Sequence, residues 1–225
     1  MDGGEARYGG GTGHPAGAVG RVRRPKRPAE HHRGRVDARE ETGHPGGDAG
    51  DDGAYALSAI KRIMRYLPQA YRDGSNATAR REMSIAALQA GICINNSSVT
   101  LVHGMSRPIG AMFHVPHGMS NAMLLNVCLS DLEMSARHNL ARIATYLRIQ
   151  AVDEIDASEK FVEEVAKLIE KLEVPTLSQY GIDRDAYMAA VDKMSFDAIM
   201  SGSPSHAPRE YTADDIKELY IKAYN

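Results

Sequence analysis

Cysteine is scarce in this chain: Cys93 and Cys128 are the only two, and both sit inside apolar stretches. That number and spacing exclude a disulfide framework or a zinc knuckle, and two buried thiols suit a reducing compartment. No run of about 18 apolar residues occurs, and the N-terminus lacks the apolar centre of a signal peptide, so the expected address is the cytoplasm, with no membrane partner. Net charge is also nearly absent, at -2 over 225 residues, which gives no general reason to expect nucleic acid as a partner. Alternating apolar runs long enough for a sheet are missing, as is any internal repeat.

The first 52 residues lack still more. They contain no Leu, Ile or Phe, no Met after the initiator, and 13 of the 21 glycines. Such a segment cannot bury enough apolar surface to offset the entropy of ordering it, so residues 1–52 read as a disordered tail. Its middle, RVRRPKRPAEHHRGRVDARE, carries eight Arg and Lys against three acids and reads as a solvated basic stretch suited at most to loose contact with phosphates. The abrupt change near Asp52 also fits a mistaken start site or a shifted reading frame, which the upstream nucleotide sequence tests.

From Ala54 onward the texture is helical, and residues 53–225 read as one all-α, multi-helix bundle domain. Leu57, Ile60, Met64 and Leu67 form one stripe, ended by Asp73-Gly74. A second helix is expected from about Thr78 to Ile94, with Met83, Leu88 and Ile92 on its buried side. MSNAMLLNVCLSDLEM is apolar around most of its circumference and predicts a helix covered on several sides. The run around Leu140, Ile143 and Leu147 continues the same period. Asp156 and Glu159 have the spacing of a capping box for the helix bearing Phe161, Val165, Leu168 and Leu172. DRDAYMAAVDKM and TADDIKELYIKAY supply the last two helices, the second opened by Thr212 as N-cap.

The stretch LVHGMSRPIGAMFHVPHG places His103, His114 and His117 in one broken segment. His103 and His117 are fourteen residues apart, about 21 Å along an unbroken helix, so they can share an ion only if the chain doubles back. Pro108 and Gly110 weaken the helix, and Val115-Pro116 favours extended backbone just before His117. A helix restarting at Gly118 would leave His117 at its N-terminus. Arg107 lies four after His103, on the same face. His103, Arg107 and His117 therefore form one geometrically reasonable constellation, with His114 as a competitor three residues before His117.

VHGMSRPIGAMFHVPHGMSNAMLL resembles the signature of the iron-containing alcohol dehydrogenases: a histidine-led helix, a glycine-bearing turn, and a PHG tripeptide before an N-A-x-L-L helix. The similarity runs from about residue 53 to 225 and includes DGAYALSAIKRI, ARREMSIAALQAG and the closing PREYTADDIKELYIKAY. It implies the helical, dehydroquinate synthase-like C-terminal domain of an NAD(P)-linked oxidoreductase that interconverts an alcohol with an aldehyde or ketone. It implies His103 and His117 as ligands of a divalent metal, iron or zinc in its place. Where many members carry a further histidine near the nicotinamide, this chain has Arg107, the position to which a catalytic and cofactor-contacting role passes.

A complete member also has a Rossmann-like nucleotide-binding domain, and an Asp and a His that finish the metal site. GTGHPAGAVG is a poor phosphate loop, because no strand is predicted before it and no helix after it. His14, His44, Asp48 and the Asp51-Asp52 pair are surrogate ligands the tail could supply, with nothing to pre-organise them. The chain therefore reads as an incomplete enzyme, inactive alone, or alternatively as a non-catalytic helical interaction module. Expected partners are a small alcohol or carbonyl substrate and a second copy or homologous subunit. Asn95, Asn96, Ser97 and Ser98 could line the same cleft, His206 lies in a loop able to close over it, and His138 reads as a surface residue.

Overall fold

A computed structural model describes residues 51–224, all of them within one compact unit. The basic segment, the glycine cluster and the surrogate ligands His14, His44 and Asp48 lie outside the described residues. Among those described there are seven α-helices and no strand: α1 (Asp51–Arg72), α2 (Ala77–Asn96), α3 (Leu101–Phe113), α4 (His117–Leu147), α5 (Glu154–Lys171), α6 (Arg184–Met200) and α7 (Ala213–Ala223). A short 3-10 turn, Ser203–His206, joins the last two. No single described helix is long and apolar enough to cross a membrane.

Two apolar clusters organise the bundle, and the 31-residue α4 takes part in both. The larger gathers Leu101, Met105 and Ile109 of α3, Leu124 and Cys128 of α4, Met194 of α6, and Ile216 and Tyr220 of α7. Burial among these side chains pushes the Cys128 thiol up to about 12, so it is an inert core residue. Buried tyrosines add direction to this core. Tyr220 donates to the Met105 carbonyl at 2.7 Å and Tyr187 donates to the Tyr220 carbonyl at 3.0 Å, so α6, α7 and α3 are fixed in register. The smaller cluster joins Leu140 and Ala144 of α4 to Phe161 and Val165 of α5, with Ile60 of α1 against it.

Helix ends follow local chemistry, with some differences from the sequence pattern. Asn76 caps α2 by accepting from the Ala79 amide, so the helix starts one residue before Thr78. The cap of α5 is Asp153, which accepts from the Asp156 amide; Asp156 is the third helical residue, so the expected Asp156–Glu159 box is displaced by one turn. Thr212 caps α7 as expected and forms a full box with Asp215. The MSNAMLL and Leu140–Leu147 segments are one continuous helix. Leu88, expected inside, is 66% exposed. The reason is that α2 packs chiefly on α1, through Ala79 and Ala86, which places Leu88 on the outer side.

Candidate metal centre at the elbow between α3 and α4

Pro108 does not break α3. It is buried inside the helix, which continues to Phe113. The chain turns instead at His114, whose left-handed backbone (φ 55°) caps α3, and Val115-Pro116 then carries it into α4. His117 is the first residue of α4, one earlier than expected. His103, in the first turn of α3, and His117 are thereby brought side by side, with ring centres 5.3 Å apart and planes tilted by 56°. Fourteen residues of chain have folded into one elbow.

Each imidazole is held differently. His103 is half-buried; burial, then the neighbouring His117 and Arg107, lower its basicity and favour the neutral, ligating form. His117 is exposed, and its Nε2 lies 3.2 Å from the Asn121 side-chain amide nitrogen. Ser106 and Ser120 donate to the carbonyls of His103 and His117 at 3.3 and 3.0 Å. Arg107, one turn beyond His103, donates through Nη1 to Ser203 at 3.0 Å. That bond ties the 3-10 turn to α3 where Pro204 lies against Gly104.

A ring nitrogen 2.0–2.1 Å from a tetrahedral first-row ion puts the ring centre about 3.2 Å out, and two such rings then stand about 5.2 Å apart. The observed separation matches that value. The donor set does not, because the described residues contain no group of three or more His, Cys, Asp and Glu able to hold an ion. Two imidazoles without a carboxylate or thiolate fit half of an iron site and do not complete one.

The other candidates stand apart from this pair. His114 is an exposed helix cap, His206 is exposed in the 3-10 turn, and His138 faces Glu154 at 3.4 Å beside the link between α4 and α5. Asn95, Asn96 and Ser97 are exposed where α2 ends. The side chains of Asp51 and Asp52 lie outside the described residues. The pattern reading missed two residues near the pair, Asn121, whose signal is its place one turn after His117, and Ser203, reached through the 3-10 turn, and one well away from it, Asp131. Asp131 lies further along α4 and accepts from Arg209 at 2.8 and 3.1 Å and from Tyr211 at 2.6 Å, which pins the PREYT segment to the helix.

Comparison with known proteins bears on the same region. Residues 52–224 match the model of the Fe-containing alcohol dehydrogenase family, C-terminal. The chain is 30% identical over 188 residues to the bifunctional aldehyde-alcohol dehydrogenase AdhE of Escherichia coli K12, covering 75% of this chain and 21% of that protein. It is 28% identical over 170 residues to the NADPH-dependent butanol dehydrogenase of Clostridium saccharobutylicum, covering 75% of this chain and 43% of that one. Among solved structures, the iron-containing alcohol dehydrogenase of Thermococcus thioreducens superposes with a TM-score of 0.69 at 31% identity, covering 77% of this chain and 44% of the other. A 1,3-propanediol oxidoreductase does so with a TM-score of 0.72 at 29% identity, covering 77% and 45%. The chain spans less than half the length of these relatives. An all-helical fold, a histidine pair at the elbow and a family match across the described residues agree: this chain belongs to the Fe-containing alcohol dehydrogenase family, whose C-terminal region it carries.

Proposed function

We propose that this chain is the helical, metal-bearing half of an NAD(P)-linked alcohol dehydrogenase, and that its 225 residues alone turn over no alcohol. The observation that carries the reading is the His103–His117 pair, set at ligating separation inside the family-matched region. The nicotinamide and the rest of the metal site would come from a nucleotide-binding half, since no strand or strand–loop–helix phosphate cradle occurs among the described residues.

The chain's own groups have definite tasks in that assembly. The imidazoles of His103 and His117 would provide two nitrogen donors to a divalent ion. Hydride chemistry belongs to the nicotinamide, and Lewis acidity to the ion. A guanidinium is a fixed cation and not a proton relay, so Arg107 does not stand in for a histidine there. It holds negative charge on a substrate oxygen or a cofactor group, steadied by Ser203. The substrate class is a small alcohol or its carbonyl, and the compartment a reducing cytoplasm.

The test joins this chain to the nucleotide-binding half of the C. saccharobutylicum relative and follows alcohol-dependent reduction of NAD and NADP. The joined protein should turn over, the separate chain should not, and His117→Ala should abolish turnover. A joined protein that folds and binds nucleotide yet stays inactive with added iron and zinc defeats the proposal.

A second reading, a docking subunit, has one specific support: the outer side of α2 exposes Leu88 at 66% and Ile94 at 48%. Its partner would be a second copy or a longer homologous subunit. Sedimentation at rising concentration separates the two readings, because a purely monomeric chain leaves docking to copies of itself without support.

A further inference from the structure

Charge is spread unevenly along this chain. Asp, Glu, Lys and Arg make up 25% of it, yet across the 48 residues from Met83 to Ser130 the only one of them is Arg107. That stretch takes in most of α2, all of α3 and the start of α4, and so builds the whole elbow. Arg107 stands one turn after His103, about 6 Å further along the helix axis, and its charge is felt at the His103 ring. Its only hydrogen-bond or ion-pair partner among the described residues is the Ser203 hydroxyl. A charge kept alone in this way contributes no ion pair to the fold, and what it offers is a place for an anion from outside.

The cation is also held ready. Nη1 donates to Ser203 Oγ at 3.0 Å, and Ser203 is 4% exposed, so a long side chain is fixed at its tip by a buried residue 96 positions away. Fixing the guanidinium beforehand lowers the ordering cost of binding. Of its five N–H groups one is used, and the others have no acceptor among the described residues. No acidic residue stands in the first turn of α3 or of α4, and neither helix start has a side-chain cap, so the field around the elbow stays positive. A carboxylate matches the guanidinium fork with two parallel hydrogen bonds, which a neutral hydroxyl does not. The phosphates of a nicotinamide nucleotide have no need of this residue, because a nucleotide-binding half brings its own helix N-terminus to them.

We propose that Arg107 selects substrates that carry a carboxylate beside the reacting alcohol or carbonyl, so that this chain serves short hydroxy acids and their oxo acids rather than neutral alcohols. The carboxylate pairs with the guanidinium while the hydroxyl or carbonyl end lies toward the histidine pair, one helical turn away. Arg107 is then a specificity residue. The carboxylate is unchanged by the reaction, in which the carbinol carbon gives a hydride to NAD(P) and the hydroxyl proton passes to solvent. This proposal rests on reading the chain as half of a dehydrogenase, and its failure is distinguishable from failure of that reading.

The experiment titrates the full chain with beta-hydroxypropionate, with the corresponding diol and with inorganic phosphate at constant ionic strength, and follows the ring-proton resonances of His103 and His117 by NMR. It compares the unsubstituted chain with Arg107→Gln and Arg107→Lys, and melting curves identify any variant whose fold has changed. The expected result is a saturable shift of both rings with the hydroxy acid, binding tenfold or more weaker for the diol and for phosphate, loss of that preference in Arg107→Gln and its partial return in Arg107→Lys. Equal binding of the acid and the diol overturns the proposal, as does a preference that survives Arg107→Gln. Phosphate bound as tightly as the hydroxy acid also overturns it, since the cation would then take any small anion, and so does the absence of a shift with all three. The joined protein described above separates the two readings. Turnover of the diol with a kcat/KM no higher for the hydroxy acid defeats the substrate assignment alone, and turnover of neither defeats the dehydrogenase reading with it.

Discussion

Gly104→Ala measures how tightly the 3-10 turn is held against the histidine-bearing helix. A β-carbon at Gly104 would lie 2.9 Å from Pro204 Cδ, 3.0 Å from its Cγ and 3.5 Å from Ser203 Cβ. Carbon atoms pack at about 3.5–4.0 Å, so the proline ring has to retreat by roughly 0.5–1 Å. The ring is rigid and Pro204 and Ser203 are buried, so the whole turn must move. Overpacking of this kind costs about 1–3 kcal/mol, and loosening the Arg107–Ser203 hydrogen bond adds about 0.5–1.5 kcal/mol. Alanine in place of glycine inside a helix returns about 1 kcal/mol. The net expectation is a loss of about 2 kcal/mol, or roughly 4–8 °C in melting temperature for a domain of this size. The control is Gly91→Ala in α2, where nothing lies within 4 Å of the added carbon and only the helix gain of about 0.5–1 kcal/mol applies. Urea and thermal melts of both variants decide the matter. If Gly104→Ala is as stable as the unsubstituted chain, or gains like Gly91→Ala, the contact described between the turn and α3 is refuted.

Asp131→Asn should cost about 1–2 kcal/mol in urea denaturation, because one carboxylate oxygen takes hydrogen bonds from both Arg209 and Tyr211; an unchanged midpoint would mean the PREYT segment is held by packing alone. Alkaline pH should destabilise the chain. Burial raises the phenols of Tyr187 and Tyr220 well above their ordinary value, so above about pH 10 the unfolded chain gives up protons that the folded chain keeps. Melting temperature should therefore fall as pH rises through 10, and a flat profile to pH 11 contradicts the burial of those hydroxyls.

Much of this molecule was legible in the order of its residues, and the exceptions share a cause. The stripe Leu57–Ile60–Met64–Leu67, the stop at Asp73-Gly74 and the Thr212 cap depend on neighbours within a turn or two, where periodicity and capping chemistry act. Leu88 does not. Its exposure depends on which elements exist to cover α2, and a helix with apolar residues around its circumference carries no record of that. Pro108 marks the limit in the other direction: it looked like the break, but a proline costs a helix one hydrogen bond, and the buried contacts of α3 outweigh that loss. The turn came where local geometry demanded it, at a left-handed His114 before Val-Pro. At the site, the pairing of His103 with His117 was readable from the need to double back. Ser203 and Asp131 act through contacts between segments far apart in the chain, which spacing alone does not encode; Asn121 stood at a readable spacing, one turn after His117 on the same helix.

The attachment of α1 and α2 has a consequence for how the molecule comes apart. This pair reaches the rest of the bundle mainly through α1, by way of Ile60 at the smaller cluster and a Tyr71–Glu173 hydrogen bond of 3.1 Å. The histidine elbow rests instead on the larger cluster, where α3 is tied to α6 and α7 by buried tyrosines. Opening is therefore graded, with the α1–α2 hairpin exchanging its amides and meeting proteases well before the elbow is disturbed. A partially unfolded chain that has lost its first two helices still presents both imidazoles, so loss of the leading hairpin and loss of the candidate metal site are separate events.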